Sequence, residues 1–170
     1  DRLSIGGMQL FKTESYETPD KVVPKAASFA AGISIVYITL TVIWAFMLWG
    51  AGMPIFDSIA HAMTTLATGG YSTKSESLAA FNSSSIEIII IFGMLVGSLP
   101  FVHYLALTKN GMKNLFKDDQ VKLFLTLVFF VVLIMSLYLS SNNIPYLEAL
   151  RLASFNVISI ITGTGFGTSD

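Results

Sequence analysis

Two stretches of the chain combine glycine and threonine at spacings suited to holding an ion. One runs Ala67, Thr68, Gly69, Gly70, Tyr71; the other runs Thr162, Gly163, Thr164, Gly165, Phe166. Glycine enters positive φ without a Cβ clash, so successive carbonyls can be turned toward one axis. Threonine adds hydroxyl oxygens. Neutral oxygens that replace a hydration shell are what a monovalent cation requires. Neither stretch contains a carboxylate, which argues against a tight divalent site. The run "GTGFG" also has the look of a phosphate loop. A dinucleotide fingerprint, however, needs a strand before it and a helix after it, and here an apolar helical segment comes first. A plain turn between helices is the remaining competitor.

The two stretches are not independent. "TTLATGGYST" (64–73) lies over "SIITGTGFGT" (159–168) with a shift of 95 residues. Gly70 then falls on Gly165, Tyr71 on Phe166, Thr73 on Thr168 and Thr64 on Ser159. Such a repeat signals an architecture assembled from equivalent parts, and it weighs against a casual turn.

The elements that must position these loops are apolar. Hydrophobic residues make up 53% of the 170 positions and charged residues only 12%, about half the charge of an ordinary soluble domain. Lipid is the implied solvent. Residues 26–49 carry no charge and are long enough to cross a bilayer. Residues 86–108 form a second expected span, kinked at Pro100, with Gly93 and Gly97 allowing close helix packing. Residues 121–140 form a third. Two half-length helices are expected at 55–66 and 146–161, each too short to span and each leading into a glycine loop. Residues 1–25 and 109–120 read as polar loops. Non-helical backbone at membrane depth survives only where protein buries it or water lines it, so a repeated re-entrant loop implies a polar pathway. Each half helix would point the negative end of its dipole toward that pathway, which favours a cation.

Eight of the ten basic residues flank one side: Arg2, Lys12, Lys21, Lys25, Lys109, Lys113, Lys117 and Lys122. By the positive-inside rule the loops 1–25 and 109–120 are cytoplasmic and the glycine loops face outward. The formal net charge of −1 gives no case for nucleic-acid binding. Without cysteine there is no disulfide framework, zinc knuckle or thiol nucleophile. No Ser/His or paired-Asp constellation suggests an enzyme. Three polar side chains invite local readings. Arg151 has Glu148 three residues before it as a helical partner, or else serves as a brace near the pathway. His103 suits the carbonyl freed by Pro100. His61 suits packing beneath the loop more than proton relay.

The residues "SIGGMQLFKTE", "GMPIFDSIAHAMTTLATGGYST", "GSLPFVHY" and "LEALRLASFNVISIITGTGFGTSD" together resemble the Trk/Ktr/HKT superfamily of potassium transporters, in its bacterial membrane-subunit branch. The resemblance runs in order along nearly the whole chain. It implies an all-α polytopic membrane protein of repeated helix–pore-loop–helix units, four to a polypeptide around one pore. One complete unit would occupy 26–108 and most of another 121–170, so the chain reads as an internal piece. The resemblance assigns Ala67 to Tyr71 and Thr162 to Phe166 to the selectivity filter. Gly163 replaces the threonine expected there, and Gly167 replaces the commoner alanine. Potassium is then the transported substrate, with no cofactor in the chain. Implied partners are the lipid bilayer, the remaining repeats of the same polypeptide, a cytoplasmic nucleotide-binding regulatory subunit, and a second copy in a homodimer. The implied location is the bacterial inner membrane. The alternative is a non-conducting membrane anchor for a soluble partner.

Overall fold

The computed structural model describes residues 19–101, 103–105 and 118–168, with side chains from residue 27 onward. Most of the expected loop at 1–25, nearly all of that at 109–120 and the last residues of the 86–108 span lie outside the described residues. Among those described there are helices and loops and no strand. In order they are α1 (Pro19–Gly50), α2 (Ile55–Leu66), a 3-10 turn (Ser77–Phe81), α3 (Ser84–Ser98), α4 (Asp119–Ser141) and α5 (Tyr146–Ile161). The chain divides into two compact units, Asp1–Ile35 and Val36–Asp170. Of the first, the described part is helical, with Ser34 Oγ donating to the Ala30 carbonyl at 3.0 Å. The second holds all the other elements.

Among the described residues two helices are long and apolar enough to cross a membrane, Ala27–Gly50 and Asp119–Ser141, and only 11% of each apolar window is buried. α1 begins at Pro19, earlier than its uncharged run, because proline is well suited to a first helical position where no N–H partner is needed. It ends where Gly52 adopts φ +99 and Pro54 follows. α4 begins at Asp119, capped by the Asp118 carboxylate, which accepts from the Gln120 N–H at 2.8 Å.

The segment expected as a span at 86–108 is interrupted at the proline where a kink was expected. α3 stops at Ser98, and Leu99 is extended at φ −78, ψ 147. Pro100 causes the stop: its ring excludes the helical conformation from the preceding residue, so the helix terminates instead of kinking. Helical geometry resumes at residue 101. At 1.5 Å per residue α3 is about 22 Å long, short of a bilayer's roughly 30 Å. His103 does not take the freed carbonyl. Its Nε2 lies 2.9 Å from the Asp118 carboxylate, and this pair joins the segment after Pro100 to the start of α4.

Asp118 also predicts a pH response. The Gln120 N–H bond holds its carboxyl below the ordinary carboxylate range, burial opposes this, and the Val121 N–H and His103 add to it. A lowered folded-state pKa means the stabilisation is complete above the unfolded value and is lost as pH falls through the folded one. The unfolding midpoint of the full-length protein in detergent is expected to drop on acidification below about pH 4. In Asp118→Asn that part of the drop is absent.

α2 is arranged inside out. Asp57, Ser58, His61 and Thr65 are buried, while Ile55, Phe56, Ile59 and Met63 are 45–75% exposed. A soluble protein would reverse these faces; a lipid-facing or protein-covered helix need not. α2 packs on α3, α3 on α5, and α5 on α4. The glycines of α3 make the first of these contacts possible. A Cβ on Gly97 would sit 2.6 Å from the Leu66 carbonyl oxygen and 2.9 Å from its Cα. A Cβ on Gly93 would meet the Trp44 indole at 2.5 Å and Thr65 Cγ2 at 2.6 Å. Trp44 is thereby an internal tie, its Nε1–H donating to the Ile89 carbonyl at 3.0 Å. Gly97→Ala is expected to cost about 1–3 kcal/mol, the usual range for overpacking, because main chain cannot rotate away as a side chain would. Unfolding of the purified full-length protein measures this.

Candidate functional site

Both glycine loops emerge from the C-terminal ends of short helices, and their backbones match in hand at each position and in all but one hydrogen bond. Ala67 and Thr162 close the helices in helical geometry, at φ −79, ψ −1 and φ −76, ψ −11. Their N–H groups donate to Met63 and Ile158 at 3.1 and 2.9 Å. Thr68 and Gly163 donate to Thr65 and Ile160 at 3.1 and 3.0 Å. The hand of the backbone then alternates. Thr68 has φ +49 and Gly70 φ +65; Gly163 has φ +72 and Gly165 φ +84. The intervening Gly69 and Thr164 are not in the left-handed region.

A side-chain bond repeats as well. Thr64 Oγ1 donates to the Tyr71 carbonyl at 2.9 Å, and Ser159 Oγ donates to the Phe166 carbonyl at 2.8 Å. Each ties the far end of a loop to the helix that launches it. The loops differ in one backbone bond: Gly69 N–H reaches the Thr64 carbonyl at 2.7 Å, whereas in the second loop Gly165 N–H reaches Ser159 at 3.2 Å. Thr162 Oγ1 bonds the Ile158 carbonyl and shares a 2.7 Å contact with Thr164 Oγ1.

The left-handed threonine carries a consequence for the other loop. An L-residue in that region costs about 1–2 kcal/mol, and Thr68 already bears this cost. Gly163, at the matched position, has open space where a Cβ would stand. Gly163→Thr is therefore expected to lower stability by only about 1 kcal/mol and to spare transport, as read by ion uptake alongside unfolding.

The two loops touch. A Cβ on Gly70 would lie 1.8 Å from the Thr164 carbonyl oxygen, so main chain packs directly on main chain. Leu78 N–H donates to the Gly167 carbonyl and Gly167 N–H to Ser77 Oγ, both at 3.2 Å. Thr164 and Phe166 are buried, while Ala67, Gly69, Tyr71, Gly163 and Gly165 are exposed. All ten residues expected at the site thus fall in two adjoining loops.

Sequence reasoning placed His61 beneath the loop but missed the rest of the polar scaffold around it. His61 Nδ1 lies 2.8 Å from the Asp57 carbonyl. A carbonyl only accepts, so Nδ1 carries the proton and Nε2 is left to accept from Ser72 Oγ at 3.0 Å. Asp57 Oδ1 accepts from Thr73 Oγ1 at 2.7 Å, and Lys74 Nζ lies 3.4 Å from its other oxygen. Ser72, Thr73 and Lys74 directly follow the first loop, and that adjacency was the one available signal. Arg151 does not pair with Glu148. It reaches Glu87 at the start of α3, at 3.2 Å, and also Ser84 Oγ. A tertiary carboxylate with 7% of its side chain exposed replaces the local partner that helical spacing offered. Among the described residues no cluster of three or more His, Cys, Asp or Glu could hold a metal ion.

Known proteins resemble this chain along nearly its whole length. The family model described as TrkH, cation transport protein, matches residues 1–168. The potassium uptake protein TrkI of Halomonas elongata is 34% identical over 99% of the chain, and TrkH of Salmonella typhimurium 35% over 98%. The chain spans about a third of their length, 34% and 35% respectively. The crystal structure of the potassium transporter TrkH from Vibrio parahaemolyticus superposes with a TM-score of 0.82, at 28% identity, over 90% of this chain and 33% of that one.

Proposed function

The chain belongs to the TrkH family of cation transport proteins, and on that premise we propose that its two glycine loops are two walls of a potassium filter. One observation carries the reading: the backbone changes hand at the same two positions of each loop, 68 and 70, and 163 and 165. Alternation of hand turns successive carbonyls to one side, and a row of carbonyls can replace the water shell of a potassium ion. The ligands are then carbonyl oxygens of the stretches Ala67 to Tyr71 and Thr162 to Phe166, those of Tyr71 and Phe166 each keeping a second lone pair beside the bond from Thr64 or Ser159. The helices α2 and α5 aim their negative ends at the loops and lower the energy of a cation there. The Thr64 and Ser159 bonds fix the loop ends.

In this reading residues 26–108 form one helix–pore-loop–helix unit and 121–170 most of a second. The exposed apolar faces of α1 and α4 meet lipid in the bacterial inner membrane, with residues 1–25 and 109–120 on the cytoplasmic side. Further units of the same polypeptide complete the ring. A cytoplasmic nucleotide-binding subunit and a second copy of the protein are its proposed partners. A membrane anchor without a conduction path would have no use for matched loops of alternating hand.

The test is potassium uptake by the full-length protein in cells that lack their own uptake systems. Growth at low external potassium supports conduction. No uptake by protein that is well expressed in the membrane favours the anchor.

A further inference from the structure

The segment that leaves the first loop is held to the side of its own short helix. His61 Nε2 accepts from Ser72 Oγ at 3.0 Å, and Asp57, one turn earlier, accepts from Thr73 Oγ1 at 2.7 Å. Ser72 Oγ also accepts from the Lys74 N–H at 3.1 Å, and Lys74 Nζ stands 3.4 Å from the second Asp57 oxygen. Consecutive residues of the exit segment thus pair with successive turns of α2, so the chain runs back along the helix. Ser72 directly follows Tyr71, the last residue of the proposed filter wall. Asp57 is placed for this duty and for no other. Its side chain is only 7% exposed, and a buried carboxylate is costly unless paired. It is the third residue of α2, where an acidic side chain commonly reaches back to the N–H of the capping residue. Here that residue is Pro54, which has no N–H to offer. The Asp57 carbonyl is taken by His61 Nδ1–H at 2.8 Å, and its carboxylate serves the exit segment.

The second loop lacks this arrangement. At the positions 95 residues on, Leu152 stands for Asp57 and Gly167 for Ser72. Thr168, the match for Thr73, has a buried Oγ1 without a hydrogen-bond partner among the described residues. We infer that Asp57 is a positioning residue for ion selection: acting through Thr73, it fixes the far end of the first loop and so the spacing of the loop's carbonyls. Thr73 is the main link, because a short hydroxyl–carboxylate bond is among the strong ones. The Lys74 side chain is 46% exposed, and water and salt weaken such a pairing, so its part is smaller. The inference rests on reading residues 67–71 as a filter wall.

The experiment measures the relative permeability of potassium and sodium in the full-length protein and its variants. Thr73 is exposed, so substitutions there leave the core intact. Thr73→Val keeps the shape and loses the donor; Thr73→Ser keeps the donor and loses a methyl. The valine variant is expected to lose most of the preference for potassium and the serine variant to retain it. The reverse order is what a residue that merely packs would give, and it overturns the inference. Asp57→Asn is expected to lose part of the preference in the wild-type background and little more in the Thr73→Val background, since the two act as one unit. Equal further loss in both backgrounds overturns the action through Thr73. Lys74→Gln is expected to lose less than Thr73→Val, and a greater loss overturns the ranking of the two links. A discriminating wild type with an equally discriminating Thr73→Val refutes the positioning role alone. A wild type that takes up potassium without preference over sodium refutes the filter reading, and this inference with it.

Discussion

Gly70→Ser in the full-length protein is expected to destroy most discrimination between potassium and sodium, and to do so more severely than Gly165→Ser. Both glycines are left-handed, at φ +65 and +84, and any other residue there is strained by about 1–2 kcal/mol. Gly165 meets nothing within 4 Å of its added Cβ, so strain is the whole of its penalty. At Gly70 the added carbon lies 1.8 Å from the Thr164 carbonyl oxygen. One loop or the other must move, and in the proposed filter that oxygen is itself a ligand. The expected order is wild type, then Gly165→Ser, whose matched position in the first loop is also glycine, with discrimination reduced, then Gly70→Ser with less still. Relative permeabilities from electrical recording or competitive rubidium uptake supply the measure. Equal permeability ratios in the wild type and both variants would contradict the assignment.

Arg151→Gln is the substitution with the largest expected effect on stability, about 3 kcal/mol. Glu87 keeps 7% of its side chain exposed and Arg151 27%, and removal of one partner from such a pair strands a charge away from water. The position of Arg151 makes this sharper. It lies in the second turn of α5 (Tyr146–Ile161), near the positive end of the helix dipole, where a cation is otherwise disfavoured. Its presence there is explained by Glu87 and Ser84 on α3, not by its own helix. The double variant Glu87→Gln/Arg151→Gln removes both charges, and it is expected to recover much of the loss, since a neutral pair can hydrogen-bond in place. Thermal unfolding of the wild type, Arg151→Gln, Glu87→Gln and the double variant in detergent forms a double-mutant cycle. A single variant as stable as the wild type would show that the pair is not a brace.

The helices were legible in the sequence to different degrees, for identifiable reasons. α2 and α5 cover the segments that apolar spacing marks, because prolines 54 and 145 sit just before them and glycine-bearing loops follow. The apolar spans of α1 and α4 are marked by their lack of charge to within one or two residues, but the helices start earlier, at Pro19 and at Asp119 after its Asp118 cap, through local backbone geometry that hydropathy does not register. The 86–108 run, expected to kink at Pro100, is interrupted there, because that ring forces Leu99 out of the helix before helical geometry resumes at residue 101. The loops were legible through their repeat, and only the repeat could point to Thr68 as a left-handed residue, since composition favours glycine there. What joins the parts was not legible. Arg151 with Glu87, His103 with Asp118, Trp44 with Ile89, and Gly70 against Thr164 are contacts set by packing in three dimensions. Local spacing offered plausible substitutes for the first two, and tertiary geometry displaced them. The inside-out face of α2 belongs to the same class: periodicity finds a face and does not say which way it turns.

The most direct measurement is a crystal structure of the full-length protein grown with thallium or rubidium in place of potassium. The account predicts anomalous peaks on an axis bordered by the main-chain oxygens of both loops, residues 67–71 and 162–166, at distances of direct coordination. Peaks elsewhere, or loops whose carbonyls turn away from any common axis, would contradict it.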